Sequence, residues 1–584
     1  MTSPTASRPR SLADDLRSRS EAELTELFVG RPDLVHPTPA DITGLARRAT
    51  ATPSVSRALD QLSAPQLNVL FTLRSAAMSL DSISTQIDPA ISDQASDLVD
   101  SLRTLGLVWG HADSLSAVTT VRDSLTESYN NAVALPDIDS AANKATANAQ
   151  DLQLQAGLIA HNFLSLVHDA LYVFRVTPLI ALRTGGVSTR EVDRLAEFLA
   201  IPTTDACFLL EVAHAAGLIA LTKSLQWEVT TKYDTWRSKS REQQWVVLAQ
   251  AWLDLPLLGS ESTKPLANAQ TSPAIGVMRW QTLRTLEWWN ANSDASPIKN
   301  WKIFNKSLEH FYPRRRGAMR DNVAKATFHE AEIIGLAHGG VLSLAGVEVI
   351  NDHASGAAKQ LALPKEVDHF LIQGDLTVIA PGPLPLEIGE QLHAISEIES
   401  RGAASVYRFS ADSIRRGYQS GWTQGMFTEF FDTWAKGAAP QPLLYLISDN
   451  ASTEVIEIDE SNRAKIPPRL GRHSRRVTLS QAERIASALL RGENAEIEEL
   501  EPEEIYSLNT SALIAMLKSA QEHHTGVWIG YAEADGSTST QIVEPIRMGD
   551  GTLTAFDHGS ANVRTFAISR VSGIAPARMQ ESTL

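Results

Sequence analysis

The chain has 584 residues, 43% of them hydrophobic and 21% charged, with a formal net charge of −16 and a single cysteine. That length exceeds what one hydrophobic core supports and predicts about four domains of roughly 150 residues, and no stretch reaches the run of about 20 apolar residues that spans a bilayer. The acidity excludes indiscriminate coating of nucleic acid, and Cys207 alone excludes an intrachain disulfide or a cysteine zinc site.

Residues 1–20 read as a polar arm with no apolar stretch of a secretory signal behind the positive charges, consistent with a cytoplasmic protein. Residues 21–126 form a helical region. Leu24, Leu27 and Phe28 recur at helical spacing, and Pro32 and Pro37 break the pattern. Within it, 63–121 predicts a helix, a short helix, a longer helix and two short strands, the order of a winged helix. The helix that would enter a DNA groove carries Asp93, Asp97 and Asp100 against Arg103, which opposes phosphate contact. Residues 127–150, rich in Ala, Asn, Asp and Ser, read as a linker.

A second winged-helix region is expected over 151–250. Ser188 caps a helix, Pro202 opens a turn, and an apolar helix containing Cys207 runs to Gly217 and a hairpin-like LIALTKSLQWEV. Residues 251–360 read as a further helical, winged-helix-like region, with a third helix and strand pair at 318–350. Its basic stretch WKIFNKSLEHFYPRRRGAMR offers Arg314, Arg315, Arg316 and Arg320 as phosphate contacts. Trp301, Phe304, Phe311 and Tyr312 are either stacking surfaces for unpaired bases or core residues at helical spacing.

From 361 to 450 the pattern becomes that of an α/β module. LIQGDLTVIAPGPLP reads as one apolar strand with a bend at Gly374-Asp375 and an exit closed by Pro381, Pro383 and Pro385. Helix, strand, two helices and LLYLISDN follow. A charged linker with a helix is expected over 451–505, its basic part RAKIPPRLGRHSRR contributing Arg472, Arg475 and Arg476. Residues 506–584 predict a leading helix, then strands at Val527 to Tyr531, Gln541 to Arg547, Leu553 to Asp557 and Val563 to Arg570, with turns at Asp535-Gly536 and Gly549 to Gly551.

The order LIQGDLTVIAPGPL, ESRGAASVYRFSADSIRRGYQSGWT and PQPLLYLISD resembles the N-terminal module of XPB/Ssl2-type DNA helicases, which recurs in actinobacterial helicase-associated proteins. The resemblance covers about 80 residues, with VYRFSADSIRRGYQSGW its most specific part. The upstream winged-helix pattern extends a looser likeness to most of the chain. It implies contact with single-stranded or forked DNA, or with an XPB-like helicase, through Arg415 and Arg416. The C-terminal region resembles a WYL-type domain, which implies a small Sm-like β-barrel. The naming triplet of that family is replaced by Leu553, Thr554 and Ala555, whereas Arg564 and Arg570 match its basic positions in the last strand.

The expected fold is therefore multi-domain and mainly α with α+β parts: tandem winged-helix units, an XPB N-terminal-like module and a WYL-like barrel. No GxxxxGK[ST] phosphate loop, GxSxG elbow or HExxH pair occurs. His523 and His524 are adjacent rather than one helical turn apart, which disfavours a shared metal. These features predict a non-catalytic protein with neither cofactor nor metal, acting as a DNA-binding or helicase-accessory factor in DNA repair or processing. The alternatives are a WYL-type transcriptional regulator that senses a ligand or nucleotide, and a structural protein–protein adaptor.

Overall fold

The computed structural model describes residues 9–35, 38–127, 134–136, 149–176, 178–182, 186–222, 225–267, 272–293, 298, 300–402, 404–451, 477, 479–492, 510–523, 526–532, 538–549, 551–557 and 562–576. The chain is multi-domain and mainly helical with several small sheets. It divides into two compact units, each assembled from separate stretches: Met1–Asp137, Trp301–Gly317 and Pro468–Leu584 in one, Ile138–Asn300 and Ala318–Pro467 in the other. No described helix is long and apolar enough to cross a membrane.

In the first unit, short helices start at side-chain caps. Ser20 and Glu23 form a reciprocal capping box ahead of Glu21–Gly30, and Ser63 and Gln66 do the same for Ala64–Leu73. Helices Ala64–Leu73, Leu80–Gln86 and Ala95–Thr104 then lead into the antiparallel pair Val108–His111 and Ser114–Ala117. Met78 bridges to Leu115 as a third, single-residue strand.

The helix Leu479–Arg491 belongs to this core. Ala482, Ile485, Ala486 and Leu489, one stripe at i, i+3, i+4 and i+7, are buried with Leu24, Leu27 and Phe28. The rest of the expected charged linker lies almost wholly outside the described residues, as does most of 127–150.

The C-terminal sheet departs from the expected barrel. Its five strands are Val527–Ala532, Thr538–Gly549, Thr552–Asp557, Asn562–Ala567 and Val571–Pro576. The last pairs with the first, so Asn562–Ala567 and Val571–Pro576 end as opposite edges, and no pairing among the described residues closes the sheet. At Ile568–Arg570 a 3-10 turn interrupts the expected strand through Arg570, and the chain passes from one edge strand to the other. The core is one-sided, with Val527, Ile529, Val543, Leu553, Ala555 and Phe566 packed under Leu513 and Leu517 of the preceding helix.

In the second unit, the helix Ala149–Val176 is followed by strand Leu179–Ile180, helices Thr189–Leu199 and Thr203–Ala215, and strands Ile219–Leu221 and Gln226–Val229. The first strand pairs with the last, giving three strands in the same arrangement that Met78 makes in the first unit. Helix Thr203–Ala215 is buried along Ala206 to Ala213, Cys207 included, and Gly259 is so close that a Cβ there would lie 2.6 Å from Phe208. Burial raises the Cys207 thiol pKa to about 11, leaving a packing residue rather than a nucleophile.

The long helix is seated by glycine: a Cβ at Gly157 would meet the Ala362 carbonyl oxygen at 1.8 Å. Helix Ala318–Ile334 leads through the Gly339-Gly340 turn between Ala337–His338 and Val341–Leu342. Glu330 of that helix pairs with Arg279, both fully buried.

The stretch read as one strand at 371–380 is a hairpin. Leu371–Ile372 and Thr377–Ala380 pair with each other. Leu376 adopts φ 71°, and the Asp375 carboxylate accepts from the Thr377 amide, which fixes the turn. The helix after the prolines stops at Ile395, and Glu397–Ser400 is a strand instead of the expected helical end. It pairs with Ser405–Arg408, completing a four-stranded sheet antiparallel throughout. Helices Ala411–Gln419, Gln424–Trp434 and Gln441–Asp449 cover it through an aromatic cluster of Phe409, Tyr418, Phe427, Phe430 and Phe431.

Candidate functional site

The described arginines singled out in the sequence are divided between the two compact units, and most are held by neighbours within their own unit. Arg314 and Arg315 both bind Asp60, at 2.7 and 2.8 Å, and Arg314 also donates to the Ser124 carbonyl. Arg316 pairs with Glu127. Arg320 falls in the other compact unit and is buried against Asp321. Phe304 is fully buried, with Trp301 edge-on to it, so these aromatics pack rather than present a base-stacking platform.

Arg416 donates to the Ala394 and Ser396 carbonyls, closing the end of the helix Leu386–Ile395. Arg415, one residue earlier, is half exposed and pairs with Asp412. Arg564 reaches Asp557 and Gln541 across the sheet. Arg570 is exposed in the 3-10 turn. Arg472, Arg475 and Arg476 lie outside the described residues.

The second unit instead assembles a buried polar site that sequence reading missed. The helix Ala149–Val176 carries, among its polar residues, a stripe of His161, Ser165, His168 and Asp169, spaced i, i+4, i+7 and i+8 on one face. That stripe lines a cavity of about 50 Å³ together with Arg241, the first residue of helix Arg241–Leu253, Glu390 of the helix after the prolines, and Arg401 from the Glu397–Arg408 hairpin. The signal available in the sequence was the run of His161, Ser165, His168 and Asp169 at helical spacing within the apolar second half of the helix.

Two ion pairs neutralise each other in this region: Arg401 with Asp169 at 2.5 Å, and Arg237 with Glu390 at 2.7 Å. His393 lies with its Nδ1 3.3 Å from Asp169. Burial, opposed only by Asp169, lowers the His393 pKa to about 4, so at neutral pH the ring is neutral and Arg401 supplies the charge beside Asp169. Burial opposes ionisation of Asp169, but the charge and hydrogen bond of Arg401 hold its pKa below the ordinary carboxylate value. Burial raises that of Glu390.

His168 has a defined tautomer. The Gln244 side-chain amide donates to the Arg237 and Lys239 carbonyls at 2.9 and 3.0 Å, which turns its oxygen to His168 Nε2 at 2.8 Å. Nε2 therefore carries the proton, and Nδ1 is left as a buried acceptor without a partner. The ring stacks on Trp236, centroids 4.6 Å apart. Burial and then Arg241 depress its pKa to about 3, and burial likewise takes His161 to about 4. Arg241 has one contact, Nη2 to Ser165 Oγ at 3.4 Å, while its Nε and Nη1 are buried without hydrogen-bond partners, as is Glu390 Oε1. Among the described residues no cluster of His, Cys, Asp and Glu has the geometry of a metal site.

Residues 370–453 match the family described as helicase conserved C-terminal domain, a likeness confined to the module built on the four-stranded antiparallel sheet. No curated protein matches the chain. Among solved structures, the chain is similar to proteasome accessory factor B/C (PafBC) of Arthrobacter aurescens. The two are 11% identical over 89% of this chain and 84% of that one, and the TM-score is 0.13, too low to argue a common fold.

Proposed function

We propose that this chain is a non-catalytic accessory protein of DNA processing or repair, acting in the cytoplasm on single-stranded or forked DNA, or beside an XPB-like helicase. The observation that carries the reading is the match of residues 370–453 to a helicase domain in a chain that has no phosphate loop. The antiparallel sheet supports it. Nucleotide-binding lobes of the doubly wound class rest on parallel strands with a phosphate site at a strand's carboxyl end, and this sheet offers no such crevice. The match to a helicase part and the antiparallel sheet support an accessory role, in keeping with the XPB/Ssl2-like resemblance of VYRFSADSIRRGYQSGW.

Two observations weigh against reading duplex DNA through the winged-helix-like units. Asp93, Asp97 and Asp100 are exposed at and beside the helix Ala95–Thr104. The corresponding helix of the second unit is buried over most of its length. A regulator with a WYL-like C-terminal sheet is the second reading, favoured by the strand order in which the last strand returns beside the first and by Arg564 on the strand Asn562–Ala567.

The test is binding of the full chain to fluorescent single-stranded, forked and duplex DNA in 50 and 200 mM salt. If three phosphates are contacted, affinity falls about 20- to 40-fold between these salts, and single-stranded or forked DNA is preferred. Arg415→Glu weakens binding without loss of fold, since Arg415 holds only exposed contacts to Asp412 and Asn450. No binding at the lower salt overturns the reading, and preference for one duplex sequence transfers it to the regulator.

A further inference from the structure

We propose that the cavity between the polar stripe of helix Ala149–Val176, Arg241 and Glu390 is a binding site for a small oxyanion that retains a proton, namely hydrogen phosphate, free or as a terminal monoester. The cavity of about 50 Å³ has room for a few water-sized groups or one such anion. Buried polar atoms are almost always satisfied, yet four here are not: Arg241 Nε and Nη1, His168 Nδ1 and Glu390 Oε1.

Their chemistry is complementary to one ligand class. With Arg401 committed to Asp169 and Arg237 to Glu390, Arg241 is the lining cation that no carboxylate holds within ion-pair distance among the described residues, and its free donors call for anionic oxygen. His168 is 1% exposed, and with Nε2 held by Gln244 its Nδ1 accepts. Glu390 Oε1 also accepts. A ligand must therefore present oxyanion and hydroxyl together. Monohydrogen or dihydrogen phosphate does so. Sulfate lacks the proton and would set its oxygens against the lone pairs of His168 and Glu390. A phosphodiester lacks it too, so the site does not take the backbone of a nucleic acid.

The test is calorimetric titration of the full chain at pH 6 with sodium phosphate, sodium sulfate, a nucleoside 5′-monophosphate and glycine. About half of a monoester phosphate is monoprotonated at that pH. Phosphate is expected to bind at one site at least about tenfold more tightly than sulfate, the value of one charge-assisted hydrogen bond. Arg241→Gln removes that binding while circular dichroism stays unchanged. Because the phosphate-to-sulfate comparison uses the native chain, it stands even if the variant misfolds. Binding of the monophosphate as well assigns a terminal phosphate, and binding of inorganic phosphate alone assigns the free ion; both support the site. No phosphate binding up to about 10 mM, equal binding of sulfate, or binding of glycine in its place overturns it. Failure here leaves salt-dependent DNA binding untouched, so the two readings fail separately.

Discussion

Replacing Glu330 by alanine removes the centre of the most deeply buried charged network in the second unit. Its carboxylate accepts from Trp252 Nε1 at 2.7 Å, from the Ser260 amide and hydroxyl at 3.0 Å each, and from Arg279 Nη2 at 3.2 Å. Arg279 in turn donates to the carbonyls of Trp252, Leu255 and Leu257, at and just beyond the end of helix Arg241–Leu253. The arginine therefore cannot leave without stripping that helix end, nor stay without a buried uncompensated charge. Breaking such a pair costs about 3–5 kcal/mol. The orphaned Trp252 and Ser260 donors push the figure to the upper half of that range. Urea unfolding followed by tryptophan fluorescence and far-ultraviolet circular dichroism measures it, with the two units' transitions fitted separately. The double variant Glu330→Leu/Arg279→Met should recover part of the loss, because it removes both charges together. A loss below about 1 kcal/mol for Glu330→Ala would mean that the pair is not sealed from water, and would refute the reasoning.

The polar site predicts acid sensitivity of the same unit. His161, His168 and His393 have folded pKa values lowered to about 4, 3 and 4, so the unfolded chain binds more protons. Stability is full above the unfolded value of about 6.5 and lost as pH falls toward 4, by about 1.5–2 kcal/mol per histidine at pH 5; an unfolding midpoint constant from pH 7 to 5 would disprove it. Gly157→Ala forces a Cβ toward the Ala362 carbonyl and should cost at least about 2–3 kcal/mol, the range of strained overpacking, read by the same urea titration.

How much was legible depended on whether a feature was local. The helix start at Ser188 follows from cap chemistry, its side chain accepting from the Glu191 amide. The order of helices and hairpins over 63–121 and 188–230 follows from apolar periodicity and glycine. The hairpin at 371–380 was missed because its turn, GDL, puts Leu376 rather than a glycine in the left-handed region; composition alone favoured an unbroken strand. Ile568–Arg570 likewise sits inside an alternating pattern, and only the need to carry the chain between opposite sheet edges breaks it. Tertiary demand, invisible to a local window, decided both.

The candidate site was less legible still, because charge counted along a sequence is not charge available in a fold. RRR at 314–316 has the look of a phosphate patch, yet Arg314 and Arg315 share Asp60, some 250 residues away in the chain. Conversely, Arg241 lies in no basic run, and folding brings it to the polar stripe of helix Ala149–Val176, where its charge has no carboxylate at ion-pair distance. Asp60 is shared by two guanidiniums. The Arg316–Glu127 pair beside it is more than half exposed on both sides, the class of pair worth little in water and easily exchanged. A phosphate approaching 314–316 must compete with Asp60 but not with the weak outer pair. Any contact there is therefore of low affinity and strongly salt-dependent, whereas a ligand at Arg241 displaces no ion pair. The two sites obey opposite salt rules, which lets a single titration series tell them apart.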